Sequence, residues 1–422
     1  MVILAIFWTV LLIVPALAID RNICFPVWVF LGSWLSLLIG IEISGDLFYG
    51  PIGRGYLIYM IGATAFATGA YFARLVPIRP QKWMLAIDQR KASSARGMVI
   101  KFVIIGLAFC LPFYLKSVFE NVKGGASLFQ SLTEIRQRNV EMIYLGEKHG
   151  PIDNLVVIAE FMALVAIAEI KSNHFGRLWA GFAVIIAFIY GITNGSKGIL
   201  VILPLEIMFL TAIKRGGTLP LRKLSIYILS VFVLFCAGLI AVNLTPTERE
   251  RSSAAEDTGR IFLSYWLGGM VAYDRIASGI AEIENVQKLN RPILEAGRKL
   301  GADVDVPPIH AEYVDIGPKM DTNVYTIFLT YNYSYGLMVM TLLLSGLGIF
   351  TTLIYRLAIS GSALAILYYP VIAVKLILSF VSDHFILGYN PLVKLLFLGV
   401  LIYWIVPSTY TSLTTRKGMS HA

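Results

Sequence analysis

The chain has 422 residues, 57% of them hydrophobic and 14% charged, with a formal net charge of +9. A water-soluble protein of this length could not cover so much apolar surface with so few polar residues, so that class is excluded. A hydrocarbon core of roughly 30 Å needs about 20 apolar residues per helix, and about eleven stretches qualify. They lie near 2–18, 23–43, 56–73, 98–115, 154–170, 178–193, 198–213, 225–243, 336–355, 361–382 and 391–407. The predicted fold class is an all-α polytopic membrane protein, a single integral domain over 1–422 with one long loop at 244–335.

The first stretch ends in PALAID, which has the small residues of a cleavage site but no basic segment ahead of it, so it reads as an uncleaved span. Basic residues then gather in alternate connections: Arg74, Arg79, Lys82, Arg90, Lys91 and Arg96; Lys171 and Arg177; Lys214, Arg215, Arg222 and Lys223; Arg356; Arg416 and Lys417. The positive-inside rule places these in the cytoplasm, with the N-terminus outside and the C-terminus inside. The net charge is then a topology signal and gives no reason to invoke nucleic acid.

The outward connections are 44–55, 116–153, 194–197, 244–335 and 383–390. Between the fourth and fifth spans, EIRQRNVEM presents Arg136, Arg138 and Glu141. Glu160, Glu206 and Lys375 fall inside spans, where an unpaired charge costs on the order of 3 kcal/mol, so they are expected to pair, line a cavity or stay neutral. Lys197 sits in NGSKG at the tip of a tight hairpin, beside the first free N–H groups of the next helix. That arrangement suits a small anion site, and equally a lysine that snorkels to the interface.

After the eighth span, TERERSSAAEDTGR presents Arg249, Arg251 and Arg260. The planar fork of arginine suits a diphosphate, while the alternating acids allow plain solvated charge. RIFLSYWLGGMVAYDRI, 260–276, reads as a re-entrant or interfacial segment. Ile276, Ile280, Ile283, Val286 and Leu289 predict an amphipathic helix that Pro292 stops. Asp383 and His384 fall in the short outer connection before the last span, where a histidine can exchange a proton. Cys24, Cys110 and Cys236 show no metal spacing and read as core fillers. No Walker loop, dinucleotide fingerprint, zinc-protease motif or nucleophile elbow occurs.

The GSKG hairpin, YWLGGMVAYDRI in the long loop and TNVYTIFLTYNYSYGLMVM at 322–340 resemble the O-antigen polymerase (Wzy-type) family of oligosaccharide repeat-unit polymerases. The resemblance implies a bacterial inner-membrane glycosyltransferase with a GT-C-like plan, acting at the periplasmic face. Donor and acceptor would both be undecaprenyl-diphosphate-linked oligosaccharides, with no cofactor, nucleotide sugar or metal, and a chain-length regulator and flippase as partners. Diphosphate contacts would fall to Lys197, Arg136, Arg138, Arg249, Arg251 and Arg260. His384 would be the base, with Asp383 orienting it and Glu141 or Asp274 as the other bases. Members often carry arginine at the Lys197 position, and the Arg-x10-Gly spacing of some periplasmic loops is not met here. An O-antigen ligase and a flippase or transporter of lipid-linked oligosaccharide remain alternatives.

Overall fold

A computed structural model describes residues 1–77, 89–119, 154–169, 176–193, 198–218, 222, 226–227, 233, 254–283, 291–304, 306, 312–318 and 320–405. The described chain is almost entirely helical: α1 (Val2–Ile19), α2 (Pro26–Ile43), α3 (Arg54–Leu75), α4 (Gln89–Phe119), α5 (Asn154–Glu169), α6 (Arg177–Thr193) and α7 (Ile199–Lys214). There follow α8 (Ala254–Trp266), α9 (Gly268–Ala277), α10 (Arg291–Lys299), α11 (Ile327–Ile359), α12 (Ala363–Ile377) and α13 (Tyr389–Val400). Among the described residues, six helical stretches are long and apolar enough to cross a membrane: α1, α2, α3, the part of α4 over Arg96–Val118, α11, and Ala363–Phe380 built on α12. The protein is a helical membrane protein. The predicted span at 225–243 lies outside the described residues apart from 226, 227 and 233.

The basic clusters come to one pole. Arg74 pairs with Asp20 at 3.6 Å, Arg96 with Glu169 at 3.9 Å, and Arg356 donates to the carbonyls of Ala73 and Val76. Lys214 donates to the carbonyls of Ile167 and Ala168, and Asn22 reaches Gly216 at 3.1 Å. The opposite pole holds Met1, the 44–53 connection, α8 and α9, and is called here the loop pole.

Two departures from an all-α chain with a long amphipathic helix occur at the loop pole. Strands β1 (Val314–Gly317) and β2 (Met320–Thr322) pair antiparallel, with Val314 opposite Thr322. The helix predicted to run through 276–289 instead ends at Ala277, and Gly279 follows with φ +74°. Residues 284–290 lie outside the described residues. Pro292 belongs to the first turn of α10, where its missing N–H would have had no partner, so it starts a helix here.

Helix α11 is not one span. Gly336 has φ 80° and ψ 176°, and the chain folds back there. A Cβ on Gly62 of α3 would press on the Phe328 ring and lie 2.8 Å from Leu344. Those two residues stand eight positions either side of Gly336, and in a straight helix they would be roughly 24 Å apart. The first arm, Ile327–Tyr335, is therefore a half-helix that begins deep in the bundle. The second arm descends beside α3, where Gly69 and Gly348 let the two backbones touch. Thr326 caps the buried start by accepting from the Leu329 N–H at 3.3 Å. Phe328 packs edge-on against Trp34 and Tyr59, with ring centroids 4.8 and 5.3 Å apart.

Helix α12 also stops short. Tyr369 donates to the carbonyl of Cys24 at the basic pole, and ten residues later Ser379 accepts from Trp34 Nε1 at 3.0 Å. Ten residues climb about 15 Å, which brings the end of α12 level with the middle of α2. The chain then turns over 381–388 and α13 runs back down, with Tyr368 donating to the Leu392 carbonyl at 3.1 Å. Asp383 and His384 thus occupy a connection recessed between the helices, where the sequence predicts a surface turn.

Candidate functional site

Three polar clusters follow one another from the loop pole inward. At the pole, the Asp274 carboxylate accepts the N–H groups of Ile52 at 2.7 Å, Gly53 at 3.0 and 3.1 Å, and Gly55 at 2.7 Å. It is the N-terminal cap of α3, supplied from α9. Gly55 permits this because any Cβ there would sit 2.6 Å from the Asp274 Cα. The expectation that Asp274 serves as a base is corrected: the carboxylate is buried and its oxygens are committed to backbone.

The next residue on α9 faces outward. The Arg275 guanidinium lies 4.4 Å over the Tyr49 ring, and Tyr49 donates to Asp315 at 2.9 Å, which holds its hydroxyl pKa above the ordinary value. This chain of contacts ties the 44–53 connection to α9 and the β-hairpin. Tyr273 lies beside Asn332 of the half-helix and within reach of the Arg54 charge, and burial pushes its pKa up. Among the described residues, Tyr273 Oη, Arg275 Nε, Ser278 Oγ and Ser334 Oγ are enclosed without a hydrogen-bond partner. All four can donate a hydrogen bond.

The half-helix carries the path inward. Tyr331, next to Asn332, donates to Asp383 at 3.1 Å. Asp383 also accepts from the N–H groups of Phe385 at 2.9 Å, Ile386 at 3.2 Å and Leu387 at 2.9 Å, which winds 383–387 into a fixed turn. Burial raises its pKa against those bonds. Asp383 is therefore the clasp of the turn, which corrects the expectation that it orients the His384 ring. His384 is half-buried, but its Nε2 is enclosed without a partner. Burial and the Lys375 charge lower its pKa to about 3, so the ring is neutral at physiological pH and poorly matched to the expected role of base there.

Lys375 links this turn to the innermost cluster. Its Nζ donates to the His384 carbonyl at 3.0 Å, and its charge acts on both Glu160 of α5 and Glu206 of α7. The two carboxyl groups lie beside each other, each within reach of the other's charge. The sequence expectation is that these embedded residues pair, line a cavity or stay neutral; the helices bring all three within reach of one another's charge, with the Lys375 ammonium bonded to the His384 carbonyl.

Of the remaining predicted residues, Arg260 lies half-buried on α8 at the loop pole. Lys197, Arg136, Arg138, Glu141, Arg249 and Arg251 lie outside the described residues. The sequence alone marks Arg275 only as one of the cations of the long loop and assigns no role to Arg54 or Tyr273. The signal for Arg275 was its place beside Asp274 in YDRI, a helix-cap aspartate followed by a residue that must point the other way. Cys24 is buried and its thiol pKa is pushed up to about 12, as a core filler requires. No protein-family model, curated protein or solved structure matches the chain.

Proposed function

We propose that the chain is an oligosaccharide repeat-unit polymerase of the O-antigen type, a GT-C-like glycosyltransferase with about eleven spans in a bacterial inner membrane. Its substrates are undecaprenyl-diphosphate-linked oligosaccharides, joined at the periplasmic face, which is the loop pole. The reading is carried by the enclosed donors Tyr273 Oη, Arg275 Nε, Ser278 Oγ and Ser334 Oγ, with the exposed Arg54 nearby. Such donors suit a diphosphate, an acceptor-only anion. In the transfer, an acceptor hydroxyl attacks the anomeric carbon, the bond from that carbon to the diphosphate oxygen breaks, and the diphosphate leaves with the electron pair. Donors around the leaving group stabilise the charge that develops on it. The hydroxyl proton passes to a base, for which Glu141 stays the candidate now that Asp274 and His384 are otherwise engaged. Lys197, Arg136, Arg138, Arg249, Arg251 and Arg260 extend the cationic surface in this reading.

The test is the purified full-length chain in lipid nanodiscs, supplied with lipid-diphosphate-linked repeat units and no other acceptor. A ladder of longer products is expected, and unchanged substrate would sink the proposal. A second reading, a transporter of the same lipid-linked units, is favoured by the half-helix and the recessed α12–α13 turn, since transporters place broken helices inside the membrane. Sealed vesicles that move the substrate across without lengthening it would establish that reading instead.

A further inference from the structure

We propose that Glu160, Glu206 and Lys375 form a proton-binding centre inside the helix bundle, in which the two carboxyl groups share one proton. Two carboxylates have only acceptors, so two carboxyl groups held beside each other away from water repel unless one carries a proton and donates it. The contact joins α5 to α7, and Lys375 enters from α12. Glu206 is 1% exposed, and its Oε2 has no partner among the described residues, so an acceptor position is left unfilled away from water.

Charge balance fixes the number of protons. Two carboxylates and one ammonium sum to a single negative charge, and one proton brings the cluster to zero. Any other count leaves a net charge in a place where it costs several kcal/mol. The charged and titratable groups that face the centre are few. Lys375 also feels Asp383, and His384 presents its carbonyl to the ammonium and holds a neutral ring. Asp383 contributes no proton to the count, because all four of its hydrogen bonds are donated to it. Lys375 therefore connects the shared proton to the recessed turn, and through Tyr331 and Asn332 to the loop pole. The centre stands on these contacts alone and does not depend on which activity the loop pole performs.

The test is infrared spectroscopy of the full-length protein in nanodiscs, reading the carbonyl stretch of protonated carboxyl groups at neutral pH. The wild-type chain is expected to show one such group. Glu206→Gln and Glu160→Gln each abolish it, because a lone carboxylate then pairs with Lys375 and ionises. Lys375→Met doubles it, because without the ammonium both carboxyls must be protonated. Asp383→Asn leaves it unchanged. A wild-type spectrum with no protonated carboxyl overturns the proposal without recourse to any variant, as does a signal that survives Glu206→Gln or ignores Lys375→Met.

Discussion

The loop pole and the recessed cluster each contain a buried aspartate saturated with backbone N–H groups, yet what surrounds the two is opposite in kind. On α9, at its C-terminal end and on the half-helix, the unpartnered atoms among the described residues are donors: Tyr273 Oη, Arg275 Nε, Ser278 Oγ and Ser334 Oγ. Beyond Asp383, Glu206 leaves an acceptor, Oε2, without a partner among the described residues, and its carboxyl group lies beside that of Glu160. A surplus of donors at a membrane surface suits an anion, and a surplus of carboxyl oxygens away from water suits a proton. The aspartates themselves are scaffold in both places. The comparison separates two jobs that a sequence reading assigns to the same acidic residues.

The largest effect is expected at Asp274. Removing its carboxylate leaves the N–H groups of Ile52, Gly53 and Gly55 buried and unpaired, and each such group costs about 1–3 kcal/mol. Asp274→Ala should lower stability by at least ~3 kcal/mol, read as a collapse in folded yield and thermal midpoint. Wild-type stability in that variant would show that the cap is dispensable and would return Asp274 to the list of bases.

A smaller effect distinguishes the recessed turn through pH. His384 has a pKa of about 3 in the folded chain, against about 6.5 when unfolded. The unfolded chain therefore takes up the proton first on acidification. Stability is full above pH ~6.5 and falls progressively toward pH ~3, with about 2 kcal/mol lost between pH 7 and pH 5. The raised pKa of Asp383 acts in the opposite sense, but it does so equally in a His384→Gln variant. Thermal midpoints at the two pH values should diverge between wild type and His384→Gln by that amount. Parallel curves would mean that the ring is solvated and free to act as a base.

The fold-back at Gly336 is expected to give the smallest change. Its φ of 80° with ψ of 176° belongs to a region that only glycine occupies readily, and no atom lies within 4 Å of a Cβ built there. Gly336→Ala should cost about 1–3 kcal/mol through backbone strain alone, seen as faster proteolysis near 336 with little loss of folded yield. An unaffected variant would mean that the half-helix and the long arm can straighten into one helix.

Hydropathy made the spans legible because each is a continuous apolar run, and α1 through α7 fall where those runs lie. The deep features were not legible for a physical reason. The run at 361–382 stays apolar through Leu378–Phe380, where the helix tightens and ends, so nothing in it marks that the chain turns back at mid-height. Gly336 in a glycine-bearing span looks like helix packing until Phe328 and Leu344 are found on the same α3 glycine. Asp274 is a cap for residues more than 200 positions away, and no local spacing reveals such a partner. Glu160, Glu206 and Lys375 were the exception, since a charge within an apolar run must be matched by another.

The central claim is that the donors at the loop pole hold a diphosphate. Binding of undecaprenyl diphosphate to the purified full-length chain in nanodiscs, by calorimetry, tests it most directly. Arg275→Ala should weaken affinity by about 10-fold or more, as expected when a charge-assisted hydrogen bond of roughly 1.5–3 kcal/mol is lost. Loss of its stacking on Tyr49 should cost only ~0.5–1 kcal/mol of stability. Equal affinity in wild type and a well-folded Arg275→Ala variant would contradict the account.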